Sequence, residues 1–330
     1  MENKVIKNSE EFDNISCYKL DISNKNLYIL PHINYNNLIK LNCAYNFLES
    51  IDELPPSLIY LDCSHNILQH LPTLPCNLET LNCNYNSLVD LNISENLKIL
   101  NCSNNKIITI NIPDHNNIKH INCSYNKLIT FTKLKKIKTL DIKYNNLKKL
   151  YLISPLLKHL DCSNNDLNYL SIKSKIIKNL NCSYNSLKKL PSLQYIEKII
   201  CNNNNIKKIK LGRYIVYLDC GYNGLTTLPI LPNSIDYLNV YNNPFNCFLH
   251  SIINIPKISD INNIIKNHHI NINKYKQLAL DIINYNITVC RTNKTIPVID
   301  SIICDMLSGI HMHNHMNQLI FFKKLINYMS

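Results

Sequence analysis

The feature that most constrains this chain is a short phrase, Leu-x-Cys-x-x-Asn-x-Leu-x-x-Leu, that returns every 19 to 21 residues. Its first aliphatic residue recurs at eleven positions: Leu41, Leu61, Leu81, Leu100, Ile121, Leu140, Leu160, Leu180, Ile199, Leu218 and Leu238. A weaker twelfth copy begins at Leu20. A period of this length predicts a solenoid, in which each repeat forms one coil and stacks only on its two neighbours.

Within one repeat, the residue types predict the local structure. Leu61 and Cys63 alternate with polar neighbours, which indicates a short strand over residues 60–64 with its apolar side turned inward. Stacked strands of successive repeats then form one parallel sheet on the inner, concave side. Asn66 and its equivalents follow each strand, where an amide can satisfy both N–H and C=O groups of the backbone. We therefore predict a buried row of asparagines.

The outer side of each coil is too short for a full helix, and pairs such as Leu71-Pro72 and Leu190-Pro191 favour extended backbone there. The predicted fold class is an α/β repeat solenoid, curved, with a parallel sheet on its concave face and mostly extended convex turns. We assign residues 1–19 to an N-terminal cap and 20–247 to about 12 repeats. We expect residues 248–330 to form a C-terminal helical cap or small helical domain, because their apolar residues have helical spacing.

Two segments, LPTLPCNLETLNCNYNSL at 71–88 and LTTLPILPNSIDYLNVYNNPF at 225–245, resemble the Leu-Pro-x-Leu-Pro leucine-rich repeats of bacterial effector proteins that act inside host cells. The recurring Asn-Cys-Ser-x-Asn is also similar to the leucine-rich-repeat proteins of giant viruses that infect amoebae. The resemblance implies a leucine-rich-repeat fold and a role in binding other proteins. Some effectors add a ubiquitin-ligase domain with a catalytic Cys-x-Asp, which Cys304 followed directly by Asp305 does not match.

Catalytic and metal-binding patterns are missing from the sequence. No phosphate-binding loop occurs among its four glycines, and no nucleophile motif is present. The histidine groups at 268–269 and 311–315 lack the spacing of a zinc site. We therefore expect a protein that is not an enzyme, with no catalytic residue, no metal, no cofactor and no small-molecule substrate.

The cysteines indicate the compartment. Nine of the fourteen occupy the same repeat position as Cys63, where a free thiol packs as a small apolar group. Unpaired thiols are typical of a reducing environment. The chain starts with a polar segment that lacks a signal-peptide core, and no stretch of 18 apolar residues could span a membrane. We expect an intracellular protein, neither secreted through a signal peptide nor transmembrane.

The candidate partner-binding residues are polar and aromatic side chains expected on the concave face, at positions −1, +1 and +4 from the repeat leucine. They are Tyr45, Tyr60, Asp62, His65, Tyr85, His120, Tyr125, Asp141, Tyr144, His159, Asp161, Tyr184, Tyr217, Asp219 and Tyr222. Position +3, which includes Ser64, is expected to face solvent as well. The tyrosines favour a groove that grips a protein. The alternative is that they pack on one another, and that the Asn/Asp row is a solvated hydrogen-bond network.

Charge is distributed unevenly. Residues 119–213 hold 20 Lys/Arg against four acidic residues, a net of +16, whereas residues 41–100 hold one lysine against seven acidic residues, a net of −6. Lysine pairs such as Lys148-Lys149 lie beyond the strand, on the edge or convex side.

The leading hypothesis is a viral or pathogen protein-interaction scaffold. The alternatives are an adaptor whose residues 248–330 recruit a second machinery such as ubiquitin ligation, and electrostatic attachment to nucleic acid or an anionic membrane through 119–213.

Overall fold

A computed structural model describes residues 18–31, 37–131, 134–244, 261–263 and 265–266. Its strands, in chain order, are β1 Lys19–Asp21, β2 Lys40–Asn42, β3 Tyr60–Asp62, β4 Thr80–Asn82, β5 Asp90–Asn92, β6 Ile99–Asn101, β7 Thr109–Asn111, β8 His120–Asn122, β9 Thr139–Asp141, β10 Lys149–Leu152, β11 His159–Asp161, β12 Tyr169–Ile172, β13 Asn179–Asn181, β14 Lys198–Ile200, β15 Tyr217–Asp219 and β16 Tyr237–Asn239. Residues 261–263 and 265–266 are helical.

One parallel sheet of twelve strands runs through the repeats in the order β1-β2-β3-β4-β6-β8-β9-β11-β13-β14-β15-β16. The repeat leucines pair in register, so that Leu41 lies opposite Leu61 and Leu61 lies opposite Leu81. Because the period is held within one residue, each coil places its strand beside the previous one without a shift. The predicted parallel-sheet solenoid is confirmed.

The strands are shorter than the sequence predicted. β3 ends at Asp62 and not at residue 64. Backbone hydrogen bonds to the next coil nevertheless continue past the end of the strand. The amide N–H of Cys63 donates to the carbonyl of Asn82 at 2.9 Å, and the amide N–H of His65 donates to the carbonyl of Asn84 at 2.9 Å. Each coil thus leaves the sheet gradually, still bonded to the next coil.

The core of the solenoid consists of stacked aliphatic and thiol side chains. Leu61, Cys63, Leu68 and their equivalents are buried in coil after coil. The nine repeat cysteines are buried and unpaired, and Cys76 is the exposed cysteine among the residues that the structure describes. Burial raises the pKa of the thiols, to about 12 for Cys102 and Cys182. The predicted packing role of these thiols is confirmed.

The asparagine row binds adjacent coils together. The Nδ2 group of Asn126 donates to the carbonyls of Cys102, Cys123 and Ser124 at 3.0–3.2 Å, and its Oδ1 accepts from the amide of Ile107 at 3.0 Å. The same four contacts recur along the solenoid, for example at Asn165. A buried amide therefore satisfies backbone groups that have left the sheet, as predicted.

The outer turns are mostly extended, but four of them form strands that the sequence analysis did not predict. β5 pairs with β7, and β10 pairs with β12. In β10 the buried residues Leu150 and Leu152 alternate with exposed ones. Other coils carry proline at the corresponding place, such as Pro72 and Pro191, and proline has no N–H to donate to a ladder.

The chain divides into two compact units, one within residues 1–224 and 234–240 and the other within 225–233 and 241–330. In the second unit, Asn262 exchanges two hydrogen bonds of 2.8 Å with the backbone of Leu231, and Ile261 and Ile265 are buried. The rest of the predicted helical region 248–330 lies outside the described residues, as does the N-terminal cap up to residue 17. Both assignments, and the adaptor hypothesis, stay predictions. None of the helical residues described belongs to a segment long and apolar enough to cross a membrane.

Candidate binding surface

From β2 to β15, each strand of the main sheet buries its central residue and turns the residues before and after it to the opposite face, here called the sheet face. In β8, for example, Ile121 is buried, whereas His120 and Asn122 are half-buried. Along β6 to β14 the sheet face holds a hollow of about 580 Å³. The side chains that shape it include Ile99, His120, Asn122, Thr139, Asp141, His159, Asp161, Asn179, Asn181, Lys198 and Ile200.

The predicted site residues separate into two groups. The first group lies on strands of the sheet face: Tyr60, Asp62, His120, Asp141, His159, Asp161, Tyr217 and Asp219. The hollow brings together the four central members, the two histidines and the aspartates 141 and 161. The second group lies in the turns that follow the strands: Tyr45, His65, Tyr85, Tyr125, Tyr144, Tyr184 and Tyr222.

Both histidines of the hollow are held by a neighbouring coil. Nδ1 of His120 lies 2.9 Å from Oγ1 of Thr139, and Nδ1 of His159 lies 2.9 Å from Nδ2 of Asn179. Burial lowers the pKa of His120 below its usual value, and the positive charges of Lys138 and Lys119 lower it further. The imidazole of His120 is therefore a neutral hydrogen-bonding group at pH 7.

The aspartates of the sheet face close the turn that follows each strand. Oδ1 of Asp161 accepts from the amide N–H of Ser163 at 3.0 Å and from its hydroxyl at 2.6 Å, while Oδ2 accepts from Nδ2 of Asn181 at 3.0 Å. Oδ2 of Asp141 lies 3.1 Å from Nζ of Lys143. The geometry favours a hydrogen-bond network for this row, one of the two interpretations that the sequence left open.

At seven of the eleven repeats the position three residues after the repeat leucine is buried, so the expectation that it faces solvent was wrong there, whereas Asn84, Lys143 and Asn202 are half-buried and Tyr241 is exposed. Ser64, Ser124 and Ser163 are at most 3% exposed. The hydroxyl of Ser124 turns back to Oδ1 of Asn122 at 2.7 Å. The reason lies one residue later, where the backbone adopts a positive φ in every coil and changes the direction of the chain.

The seven residues of the second group form a rim beside the sheet face, and each has a φ between 51° and 56°. Where rings occupy neighbouring coils, they stack: Tyr45 on His65 at 4.1 Å, His65 on Tyr85 at 4.4 Å, and Tyr125 on Tyr144 at 4.4 Å between centroids. The rim tyrosines are nevertheless 44–59% exposed. They therefore pack on one another and remain accessible.

A row of lysines borders the sheet face on its other side, and the sequence analysis missed it. Lys98, Lys119, Lys138, Lys158 and Lys178 occupy position −2 of five successive coils. The repeat alignment contains the signal, because lysine recurs at position −2, directly before the −1 column of candidate residues. We refer to these five residues as the lysine ladder.

The solved structures that are similar to this chain include three leucine-rich-repeat proteins. YopM from Yersinia enterocolitica WA-314 is 26% identical, with 68% of this chain and 60% of that chain covered and a TM-score of 0.52. The functional domain of InlJ from Listeria monocytogenes, which includes a cysteine ladder, is 24% identical over 68% and 58%, with a TM-score of 0.57. The leucine-rich repeat domain of APL1B is 19% identical over 68% and 76%, with a TM-score of 0.50.

These similarities concern the fold. The chain spans about 60% of the length of the YopM and InlJ structures. No family model matches the sequence, and no curated protein matches it. The predicted resemblance to the repeat proteins of giant viruses stays a prediction.

Proposed function

The chain is a leucine-rich-repeat protein, and we propose that it is a non-enzymatic scaffold that holds a partner protein against its sheet face. Its leucine-rich-repeat neighbours support a general binding role. The sheet face offers rows of half-buried polar side chains around a hollow, and the exposed tyrosine rim borders it. Surfaces of this composition suit protein recognition, where aromatic rings supply contact area and polar groups supply orientation.

The tyrosine rim is the observation that carries the proposal. Between 44% and 53% of the surface of Tyr125, Tyr144 and Tyr184 is exposed. The backbone does not require tyrosine at this position, because asparagine adopts the same conformation. Asn104 and Asn164 occupy this position in other coils with the same φ. Tyrosine adds a large amphipathic surface at low conformational cost, which is the property that protein interfaces use.

The test replaces rim tyrosines by the residue that the fold itself uses there. The triple variant Tyr125→Asn, Tyr144→Asn, Tyr184→Asn keeps the left-handed backbone conformation and removes the rings. Affinity capture with mass spectrometry would identify partners of the wild-type protein, and titration with a purified partner would measure affinity. We expect the variant to bind about tenfold or more weakly, since aromatic contacts at interfaces each contribute on the order of 1–2 kcal/mol.

A matched control removes exposed tyrosines from the outer turns. Tyr151 and Tyr169 lie on β10 and β12, with ring centroids 5.0 Å apart. The variant Tyr151→Thr, Tyr169→Thr suits the strand backbone and leaves the rim intact. Unchanged affinity of the rim variant for every captured partner, or an equal loss in this control, would count against the sheet face as the binding surface.

A reducing, intracellular location fits this proposal. The ten cysteines that the structure describes are all unpaired, and nine of them are buried in the core. Thiol titration of the denatured, unreduced protein from its native cell checks this, with all fourteen thiols expected to react. Oxidised cysteines in that preparation would contradict it.

A further inference from the structure

The lysine ladder is fixed by the backbone. The amide N–H of Lys119 donates to the carbonyl of Lys98 at 2.9 Å, and Lys138 to Lys119, Lys158 to Lys138 and Lys178 to Lys158 follow at 2.7–2.9 Å. Five lysine side chains therefore start from one straight row, about 4.8 Å apart. The repeat alone fixes the backbone positions of the five lysines, and no contact between their side chains is needed.

The two ends of the ladder are neutralised and its centre is not. Nζ of Lys98 binds Oε1 of Glu79, and Nζ of Lys178 binds Oε1 of Glu197 at 2.8 Å. Lys119, Lys138 and Lys158 have no carboxylate partner in the part of the chain that the structure describes. Three positive charges are thus left uncompensated on adjacent coils, bounded by an ion pair at each end.

The hollow of the sheet face adjoins these three lysines. Strands β8, β9 and β11, which begin directly after them, supply His120, Thr139 and His159 to its lining. After burial, the charges of Lys138 and Lys119 are the next causes that lower the pKa of His120, which supports a positive potential over this part of the hollow. Amide side chains such as Asn122 and Asn181 add hydrogen-bonding groups suited to a peptide backbone.

We propose that the lysine ladder and the hollow together bind an acidic segment of the partner protein, with its carboxylates on Lys119, Lys138 and Lys158 and its backbone over the hollow. The inference rests on the proposed function and specifies the chemistry of the partner. Charge complementarity supports the proposal, because in a protein partner a row of ammonium groups is complemented by a row of carboxylates. The remaining surface of the hollow carries polar side chains that can pair with peptide groups.

The same surface suits nucleic acid less well. Asp141 and Asp161 line the hollow and would repel phosphates placed across it, whereas a peptide can place its neutral backbone there and its carboxylates on the lysines. Between Ile99 and Lys198 the row of sheet-face residues next to the ladder contains no tyrosine or phenylalanine, so the aromatic rings beside the ladder are the two tethered histidines, and the exposed tyrosines lie on the rim at the other side of the sheet face. Proteins that hold single strands combine basic grooves with such platforms.

The test uses the full chain and a fluorescent peptide of eight glutamates as the probe. The ladder variant is Lys119→Gln, Lys138→Gln, Lys158→Gln. The control variant, Lys148→Gln, Lys188→Gln, Lys207→Gln, removes the same charge from exposed lysines of the basic region that lie beyond the strands. We expect about tenfold weaker binding by the ladder variant at constant salt and about twofold or less by the control, since a set of ion pairs contributes about 1–2 kcal/mol.

Zero-length carbodiimide crosslinking gives a second readout. It joins a probe carboxylate to a lysine amine within contact distance, and we expect the amide bonds on Lys119, Lys138 and Lys158. Equal weakening in both variants, or crosslinks mainly to other lysines, would overturn the proposal. So would ladder-dependent binding of an oligothymidine or of phosphatidylserine vesicles that exceeds binding of the peptide, because the site would then serve nucleic acid or membrane.

The captured partner separates this inference from the proposed function. If the rim variant loses the partner and the ladder variant retains it at full affinity, the acidic-segment inference is wrong and the scaffold function stands. If neither variant affects the partner, the sheet face is not the binding surface. Melting curves of both variants establish that they are folded before either comparison is made.

Discussion

The ring of Tyr125 lies nearly parallel to the ring of Tyr144, with 4.4 Å between centroids and 11° between planes. Both residues adopt a positive φ, 55° and 52°, which is unfavourable for a residue with a Cβ. A stacked pair contributes on the order of 0.5–1.5 kcal/mol, comparable to that backbone cost. Stacking therefore helps to maintain tyrosine at a position where the backbone prefers asparagine, while the exposed edges remain available to a partner.

Substitution of Tyr125 separates the backbone requirement from the ring. Tyr125→Val should lower the free energy of unfolding by about 2–3 kcal/mol, because a β-branched residue is strained at positive φ and the stack is lost. Tyr125→Asn loses the stack alone and should cost about 1 kcal/mol or less. Urea denaturation measures both. Equal losses for the two variants would mean that the positive φ places no demand on side-chain type.

The asparagine row should be sensitive to loss of a single amide. Asn126→Leu leaves the amide of Ile107 and the carbonyl of Cys102 without their partner, so we expect a loss of about 1–3 kcal/mol in unfolding free energy. Asn111→Leu, at an exposed position of β7, is the control and should change stability by less than about 0.5 kcal/mol. A melting curve of Asn126→Leu that matches wild type would contradict the structural role of the row.

The parts of the fold that follow from periodicity could be predicted, and the parts that follow from a local dihedral angle could not. The alternation of Leu61 and Cys63 and the returning Asn66 were sufficient for the sheet, the core and the asparagine row. The orientation of Ser64 was predicted wrongly, because it depends on the φ of 52° at His65. Histidine and asparagine at this repeat position favour positive φ and were an available signal, which the more frequent tyrosines obscured.

The binding surface was predictable in position and not in its contacts. The sequence placed His120 and His159 on the sheet face, but their bonds to Thr139 and Asn179 join different coils and depend on side-chain rotamers. The lysine ladder was predictable from the repeat alignment alone. Its uncompensated centre was not, since that depends on which lysines reach Glu79 and Glu197.

The buried thiols should resist alkylation. Desolvation raises the pKa of Cys102 and Cys182 to about 12, so the reactive thiolate is scarce at pH 8, and the core also excludes the reagent. Cys76 is exposed. Brief treatment of the native protein with iodoacetamide should therefore label Cys76 and leave the nine repeat cysteines unmodified by peptide mass spectrometry. Labelling of Cys102 at the rate of Cys76 would show that the coils open readily.

Because of the same thiols, we expect the free energy of unfolding to decrease at alkaline pH. A thiol whose pKa is raised in the folded state holds its proton more tightly there than in the unfolded chain, where its pKa is 9.0. The stability that it contributes is fully present below pH 9 and is lost as pH rises toward about 12. Urea denaturation between pH 8 and 11 should show this decline, and the slope should be smaller in Cys102→Ala. A pH-independent unfolding free energy across this interval would contradict it.

The positive potential over the hollow can be measured at His120. Burial is the larger cause of its lowered pKa, and the charges of Lys138 and Lys119 are the next two. Substituting both lysines by glutamine should raise the pKa of His120 partway toward 6.5, its usual value, because the imidazolium then meets less repulsion. NMR titration of histidine-labelled protein measures this, with the signal assigned through His120→Gln. Lys148→Gln, which removes an exposed lysine beyond the strand, should leave the His120 titration unchanged. An unchanged pKa in the double variant would place the ammonium groups too far from the hollow to attract a ligand bound in it.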